Sequence, residues 1–273
     1  MHKKRNKKVA IFIPIYKYSL KEHEKISLQF LNKHLKKYDK FFVTPKTFDG
    51  KKCKFNIKGF KFKKFPDKFF KSIKSYNDLL YTKHFYKQFQ NYEYILSYQP
   101  DCLVFEDKLE HFCSLGYDYI GAPWIHNNLK KVKDIKGIKV GNGGFSLTKV
   151  DSCRKAIQKY QKSPLKDIWY IKYFLRNWIE SITNLSKGII KTLLLKKGDF
   201  RDLFMISADL FWSEGVKKFY PSFSIAPPEI AISFAFENNV PLCFKLNNNK
   251  IPFGAHAFQS GQNLRNWKKL KVF

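Results

Sequence analysis

An apolar run near the start of the chain constrains the fold more than any other feature. VAIFIPI, residues 9–15, is rich in β-branched residues and has no polar face, as expected of a strand buried on both sides of a parallel sheet. Residues 20–38 follow with leucines and isoleucines at helical spacing, and KFFVTP, residues 40–45, predicts a second strand. A strand, a helix and a strand in this order form a βαβ unit, so the sequence predicts an α/β fold.

The same alternation continues through the first half of the chain. SYNDLLYTKHFYKQF, residues 75–89, predicts a helix, and EYILSY, residues 93–98, predicts a third strand. DYIGAPW, residues 118–124, reads as a strand that runs into a loop. We therefore expect residues 1–273 to form a single domain, which is a reasonable size for one hydrophobic core.

Residues 164–200 predict an insertion between the sheet-forming parts. Isoleucine, leucine and tryptophan recur there at spacings of three and four, with lysines and an arginine around them. This pattern predicts a cationic amphipathic helical segment. It would either pack on the domain as a helical hairpin or lie on an anionic membrane surface.

The composition limits the partners and the compartment. The chain carries 52 Lys and Arg against 22 Asp and Glu, a net charge of +30, which attracts polyanions such as nucleic acid, anionic lipid or phosphorylated ligands. Part of this excess is also what an AT-rich genome would produce on a solvated surface. The five cysteines are dispersed and form no CxxC pair, which favours reduced thiols in a cytosolic protein over disulfides or a zinc site.

One carboxylate stands at a position where α/β proteins bind ligands. Asp101 follows EYILSYQP, so it lies on the loop that leaves a central strand. In open α/β sheets, ligands bind beyond the carboxyl ends of the strands. A carboxylate there can hold a divalent cation, and the cation can hold a diphosphate. A helix cap or a turn would explain a lone Asp equally well.

Several motifs together carry a family resemblance. They are VAIFIPIYK, SYNDLLYTKHFYKQF, YILSYQPDCLVF, YDYIGAPW, VGNGGFSL, SADLFW and PFGAHAF, and they run across most of the chain apart from 164–200. This series resembles the GT-A glycosyltransferases and, more narrowly, a bacterial family of proposed sugar transferases known as DUF5672. The resemblance implies a GT-A-like, Rossmann-like mixed sheet flanked by helices.

The resemblance also implies a donor site and a metal. The GT-A Asp-x-Asp motif matches Gln99-Pro100-Asp101, so the first Asp is absent and Asp101 corresponds to the usual metal ligand. His256 in PFGAHAF matches a late histidine near the metal or pyrophosphate. The implied cofactor is a divalent cation, Mn²⁺ or Mg²⁺, whose requirement the missing Asp leaves open. The implied donor-binding residues are Pro14, Tyr16, Thr44, Tyr76, Asn77, Gln99 and Asp101.

Asp209, in SADLFW, is the implied catalytic base. In inverting GT-A enzymes a carboxylate near this point deprotonates the acceptor hydroxyl, and such help is typically worth about 10²–10⁴ in rate. Asp202 and Glu214 are nearby alternatives, and a plain helix cap at Asp209 is another interpretation.

The glycine-rich stretch GNGGFSL is interpreted as an acceptor or donor contact. Its glycines would let the backbone approach a sugar ring or diphosphate where a Cβ would collide, although a β-bulge or a hairpin turn would use them too. Trp124 would offer a face for a sugar. The implied acceptor-binding residues are Trp124, Asn142, Gly143, Gly144 and Phe145.

The sequence thus predicts a hexosyltransferase-like glycosyltransferase. It would move a sugar from a nucleotide-sugar to a surface-glycan acceptor (a lipid-linked oligosaccharide, O-antigen, capsule or lipooligosaccharide), with inversion. We expect a cytoplasmic protein, peripheral on the inner face of the membrane, and no nucleic-acid partner. Two alternatives stay open: a basic nucleic-acid-binding protein, suggested by alternating Lys and Phe in residues 54–71, and an inactive GT-A-like scaffold.

Overall fold

The computed structural model describes residues 7–125, 134–164 and 207–272. Within these ranges the chain forms two sheets. Their strands are β1 (Lys7–Pro14), β2 (Asp39–Pro45), β3 (Phe60–Phe65), β4 (Tyr92–Tyr98), β5 (Leu103–Val104), β6 (Tyr119–Gly121), β7 (Phe145–Lys149), β8 (Ala235–Phe236) and β9 (Gly254–Ala255).

Helices flank the larger sheet on both faces. They are α1 (Glu22–His34), α2 (Ile73–Leu80), α3 (Lys83–Lys87), α4 (Leu109–Ser114), α5 (Val150–Lys162), α6 (Ala208–Leu210), α7 (Val216–Phe219), α8 (Pro228–Phe234), α9 (Val240–Leu246) and α10 (Asn263–Lys269). A π-helical turn, Phe211–Gly215, joins α6 to α7, and short 3₁₀ turns occupy Gly50–Lys52 and Asp67–Phe70.

The six-stranded sheet has the order β3-β2-β1-β4-β7-β6. The first four of these strands are parallel, and β7 runs antiparallel to both β4 and β6. The strand order changes direction between β1 and β4, because β2 and β3 lie on one side of β1 and the later strands on the other. This switch point is where open α/β sheets leave a crevice at the carboxyl ends of the strands.

The predicted βαβ start is confirmed, with β1, α1 and β2 at the expected places. The predicted helix over 75–89 is instead two helices, because the chain turns at Tyr81 and Thr82. The Thr82 hydroxyl accepts a hydrogen bond from the Phe85 backbone N–H at 3.1 Å and so begins a new helix. A threonine at this position is a strong start signal, and it overrides the continuing apolar pattern.

The smaller sheet has the order β5-β9-β8. Strand β9 is central: it pairs antiparallel with β5 and parallel with β8. Phe253, the residue before β9, joins an aromatic cluster under the main sheet. The rings of Phe145, Phe234 and Phe253 lie 5.1–5.7 Å apart there. The two sheets therefore share one continuous core, and Phe145 at the start of β7 is part of it.

The predicted fold class, a mixed sheet flanked by helices, is confirmed. The predicted cationic insertion at 164–200 lies outside the described residues, apart from Pro164 at its start. None of the helices in the described ranges is both long enough and apolar enough to cross a bilayer.

The aromatic cluster yields the first prediction. Phe145→Ala is expected to lower the free energy of unfolding by about 3–5 kcal/mol, because its fully buried ring leaves a cavity between the sheets. Ile73→Ala is the control, since the Ile73 side chain is 75% exposed, and its effect should stay within about 0.5 kcal/mol. Urea denaturation of both variants tests this. Equal stabilities would show that Phe145 does not join the two sheets.

Candidate functional site

A cleft opens at the switch point between β1 and β4. Its volume is about 650 Å³, within the range typical of small-molecule sites. One wall continues from β1, and the floor continues from β4 into Gln99, Pro100 and Asp101. The predicted donor-binding residues that line it are Pro14, Tyr16, Tyr76, Gln99 and Asp101.

Basic side chains line the mouth of the cleft. Lys17, Lys21 and Lys71 lie around it, and Lys17 is paired with Glu24 at 2.7 Å. Tyr16, which is 64% exposed, stands at the same mouth with its ring in solvent. The cleft thus combines cationic walls with an available aromatic face, which suits an anionic ligand that carries a planar ring.

Two predicted donor-binding residues lie elsewhere. Thr44 is fully buried in β2, an interior strand, and does not line the cleft. The Asn77 side chain donates to the Ile73 carbonyl at 2.9 Å and accepts from the Ala208 backbone N–H at 2.8 Å. Asn77 therefore ties α2 to α6, and α6 is the helix that carries Asp209.

A histidine and two carboxylates meet at and directly behind the cleft floor, which Asp101 lines, because of the register of the small sheet. Phe236 pairs with Ala255 in parallel strands, so the next residues, Glu237 and His256, are neighbours. Leu103 pairs with Ala255 in antiparallel strands, which brings the segment before β5, with Asp101, to the other side of His256. His256 Nδ1 lies 3.1 Å from Glu237 Oε1, and its Nε2 lies 3.5 Å from Asp101 Oδ1.

The two carboxylates govern the charge of the histidine. Burial lowers the pKa of His256, but its hydrogen bonds to Asp101 and Glu237 outweigh burial and raise the pKa to about 9. Burial raises the pKa of Asp101, and the hydrogen bond from His256 more than offsets it, so that pKa is lowered. The free site therefore holds an imidazolium between carboxylates at neutral pH.

Donor atoms at the cleft floor and directly behind it fit a divalent cation. His256 Nε2 lies 3.3 Å from Gln99 Oε1 and 3.5 Å from Asp101 Oδ1. Adjacent ligands of an octahedral ion are about 3 Å apart when each is about 2.1 Å from the metal, so these atoms are close to that spacing. The Cys102 thiol is nearby, but burial raises its pKa and it donates to the Gly144 carbonyl at 3.3 Å. The fitting set is Gln99, Asp101 and His256.

The glycines of GNGG make room for protein side chains. A Cβ on Gly144 would lie 2.2 Å from His256 Nε2, which is an impossible contact. A Cβ on Gly143 would lie 3.3 Å from the Asp209 Cβ, and one on Gly141 would lie 2.6 Å from Ser213. The sequence interpretation placed a ligand against these glycines, whereas the structure fills the space with His256, Asp209 and Ser213.

Asn142 and Phe145 of the predicted acceptor site are enclosed by the protein. The Asn142 Oδ1 accepts from the backbone N–H groups of Gly144 and Phe145, and its Nδ2 donates to Glu237 Oε1 at 2.6 Å. This leaves no Asn142 group for a sugar hydroxyl. Phe145 is fully buried, so its ring cannot contact an acceptor. Trp124 is half-buried, with its ring beside Gly141.

Residues 141–144 form the glycine loop. Asp209 lies on the other side of this loop from His256. Its carboxylate accepts from the Leu210 backbone N–H at 3.0 Å, and burial raises its pKa despite hydrogen bonds that lower it. A second, small cavity touches it, lined by apolar side chains such as Phe12, Leu80 and Trp212 and by several residues with hydroxyl groups. A carboxylate whose pKa burial raises is suited to accept a proton.

Glu237 is the site residue that sequence reasoning missed. It follows FAF in IAISFAFENN, a segment with no recognisable motif. The available signal is that FAF and FGA are two short apolar runs, each followed by a residue able to carry charge. Pairing those runs would have placed Glu237 beside His256.

Together these features define an α/β protein with a candidate cation site beside the cleft at the switch point of its sheet. Residues 59–256 match the family model described as protein of unknown function (DUF5672), and the chain belongs to that family, as its motifs predict.

Solved glycosyltransferases have a similar chain path. The galactosyltransferase LgtC, crystallised with donor and acceptor sugar analogs, aligns with 96% of this chain and 93% of its own at 11% identity and a TM-score of 0.48. A glycosyltransferase involved in glycosylation of the major capsid of PBCV-1 aligns with 97% of this chain and 100% of its own, at 9% identity and a TM-score of 0.42. No curated protein matches the sequence.

The charge of His256 predicts a pH dependence of stability. Its pKa is about 9 when folded and about 6.5 when unfolded, so the stabilisation is complete below pH 6.5 and disappears as the pH rises through 9. Between pH 6.5 and 8 the free energy of unfolding should fall by about 1–2 kcal/mol, measured by urea denaturation. His256→Gln should remove this slope, whereas His111→Gln, on the exposed face of α4, should keep it. A wild-type slope in His256→Gln would contradict an imidazolium at this site.

The glycine contacts predict a position-specific defect. Gly144→Ala should displace His256 and abolish binding of Mn²⁺, because the added methyl group would overlap the imidazole. Gly143→Ala needs a shift of only a few tenths of an ångström and should keep binding within about tenfold. Isothermal titration with Mn²⁺ compares the two variants. Unchanged binding by Gly144→Ala would show that His256 is not a ligand.

Proposed function

We propose that this protein is a glycosyltransferase that uses a nucleotide-sugar donor. The observation that carries the proposal is the Asp101–His256 pair, in which Asp101 lines the floor of a lysine-lined cleft at the switch point and His256 lies directly behind it. Asp209 lies close to Gly143, the neighbour of the Gly144 that packs on His256. The pair suits a cation-bound diphosphate, and the raised pKa of Asp209 suits removal of a proton from a hydroxyl. These are the two chemical requirements of sugar transfer from a nucleotide.

The donor would lie along the cleft. Tyr16 offers a ring face for the base, and Lys17, Lys21 and Lys71 attract the phosphates. A bound divalent cation would neutralise the charge that develops on the leaving diphosphate. Gln99, Asp101 and His256 would hold it. This arrangement directs the diphosphate toward the glycine loop, with the sugar beyond it.

The acceptor hydroxyl would lie at Asp209. In a direct displacement, the acceptor oxygen forms a bond to the anomeric carbon while the bond to the diphosphate oxygen breaks. The hydroxyl proton passes to the Asp209 carboxylate, and the nucleoside diphosphate leaves. This route inverts the anomeric configuration, and Asp209 is suited to it because its buried carboxylate is more basic than an ordinary aspartate.

The acceptor is proposed to be a surface glycan or a lipid-linked sugar. Its identity would depend on segments beside Trp124 and on residues 164–200, which carry the cationic pattern suited to an anionic membrane surface. A location at the cytoplasmic leaflet would follow from that contact.

A nucleotide screen tests the proposal. Melting temperatures are measured with UDP, GDP, CDP and dTDP, with and without Mn²⁺. One nucleotide class is expected to raise the melting temperature, since a ligand at a hundredfold excess over Kd adds about 2.7 kcal/mol of stability. Asp101→Ala should lose this shift. Asp209→Asn should keep the shift and lose about 10²–10⁴ in donor turnover, because the base no longer accepts a proton.

The screen also separates the alternatives. Glu229→Gln, at an exposed position, is the control and should keep both binding and turnover. No shift with any nucleotide, together with tight and salt-sensitive binding of oligonucleotides, would replace the proposal with nucleic-acid binding. A selective shift without turnover of any donor would indicate an inactive scaffold.

A further inference from the structure

The candidate cation site has one acidic ligand, and a second carboxylate contacts the far side of its histidine. Gln99 and His256 would be neutral as ligands, so Asp101 is the one acidic member of the ligand set. Glu237 stands directly behind His256, with Oε1 3.1 Å from Nδ1. A second carboxylate is therefore present, and the His256 ring separates it from the cation position.

The structure fixes the orientation of this second carboxylate. Asn142 donates to Glu237 Oε1 at 2.6 Å, and its own amide cannot turn over because its Oδ1 accepts from two backbone N–H groups, those of Gly144 and Phe145. Glu237 in turn would orient His256 for a cation. When the cation displaces the Nε2 proton, acceptance of the Nδ1–H by Glu237 would leave the Nε2 lone pair pointing toward Asp101 and Gln99.

We propose that Glu237 is a positioning residue that supplies, through His256, the negative charge that Gln99 does not supply as a ligand. A carboxylate that accepts from the far nitrogen of an imidazole makes the near nitrogen a better metal ligand, and removal of such a partner typically costs about 10–100-fold in metal affinity. Asn142 completes the unit by holding the Glu237 oxygen in place. This inference rests on the proposed cation site of the transferase.

The proposal explains two features that the direct ligands do not. Asn142 lies in the glycine loop, and both polar groups of its side chain form hydrogen bonds within this unit and none with the cleft. The Glu237 side chain is only 18% exposed, although an unpaired carboxylate would favour solvent. Both follow if the loop and β8 are built to hold a carboxylate behind His256.

The test is compensation between two positions. Mn²⁺ affinity is measured by electron paramagnetic resonance of the free ion for the wild type, Gln99→Asp, Glu237→Gln and the double variant. Glu237→Gln should weaken Mn²⁺ binding at least tenfold, since an amide keeps the shape and removes the charge. The double variant should recover most of the affinity, because Gln99→Asp returns the charge as a direct ligand. Circular dichroism and melting temperatures confirm that each variant is folded.

The outcomes are separable from those of the nucleotide screen. Wild-type affinity in Glu237→Gln, or no recovery in the double variant, would overturn the role of Glu237 and leave the transferase proposal intact. A wild type that binds no Mn²⁺ would also overturn it, while nucleotide binding through lysines is scored independently. The expected Mn²⁺ pattern in a protein that binds no nucleotide would support the cation site and refute the transferase. Glu229→Gln, which should bind Mn²⁺ as the wild type does, is the charge-matched control.

Discussion

The site depends on one buried interaction, the histidine held between two carboxylates. An imidazolium placed in the protein interior beside a single acid would be poorly compensated, and burial alone would discharge it. Asp101 and Glu237 on opposite nitrogens keep it charged and fix the plane of the ring. The glycine at position 144 is a consequence of this arrangement, since the ring occupies the space that any other side chain would need.

The small sheet is what brings these groups together. Its strands have two residues each, too short to be stable alone, and they are held because β5 follows β4 closely and the aromatic cluster packs below them. The main sheet supplies the cleft, and the small sheet supplies His256 and Glu237. The glycine loop joins them, because the Gly144 carbonyl accepts from the Gln99 backbone N–H at 3.0 Å.

The sequence predicted the elements with continuous apolar patterns and the residues at the ends of parallel strands. Asp101 and His256 were predicted as partners only through motif resemblance, because nothing local shows that residues 155 positions apart along the chain will meet. Glu237 was missed since it follows a two-residue strand that has no periodicity to detect. The glycines were recognised, but a glycine indicates close approach without showing what approaches.

The distribution of charge determines how a charged ligand can approach the site. On a chain with a net charge of +30, acids are concentrated here: Asp101 and Glu237 flank one histidine, and Asp209 lies across the glycine loop from it. The lysines stand at the mouth. The surface therefore attracts an anion, whereas the floor carries negative charge. In the proposed function, a diphosphate would approach that floor closely only when a cation shields it. In the proposed reaction, Asp209 lies beyond the loop, apart from the cation, and would take its proton from the acceptor hydroxyl.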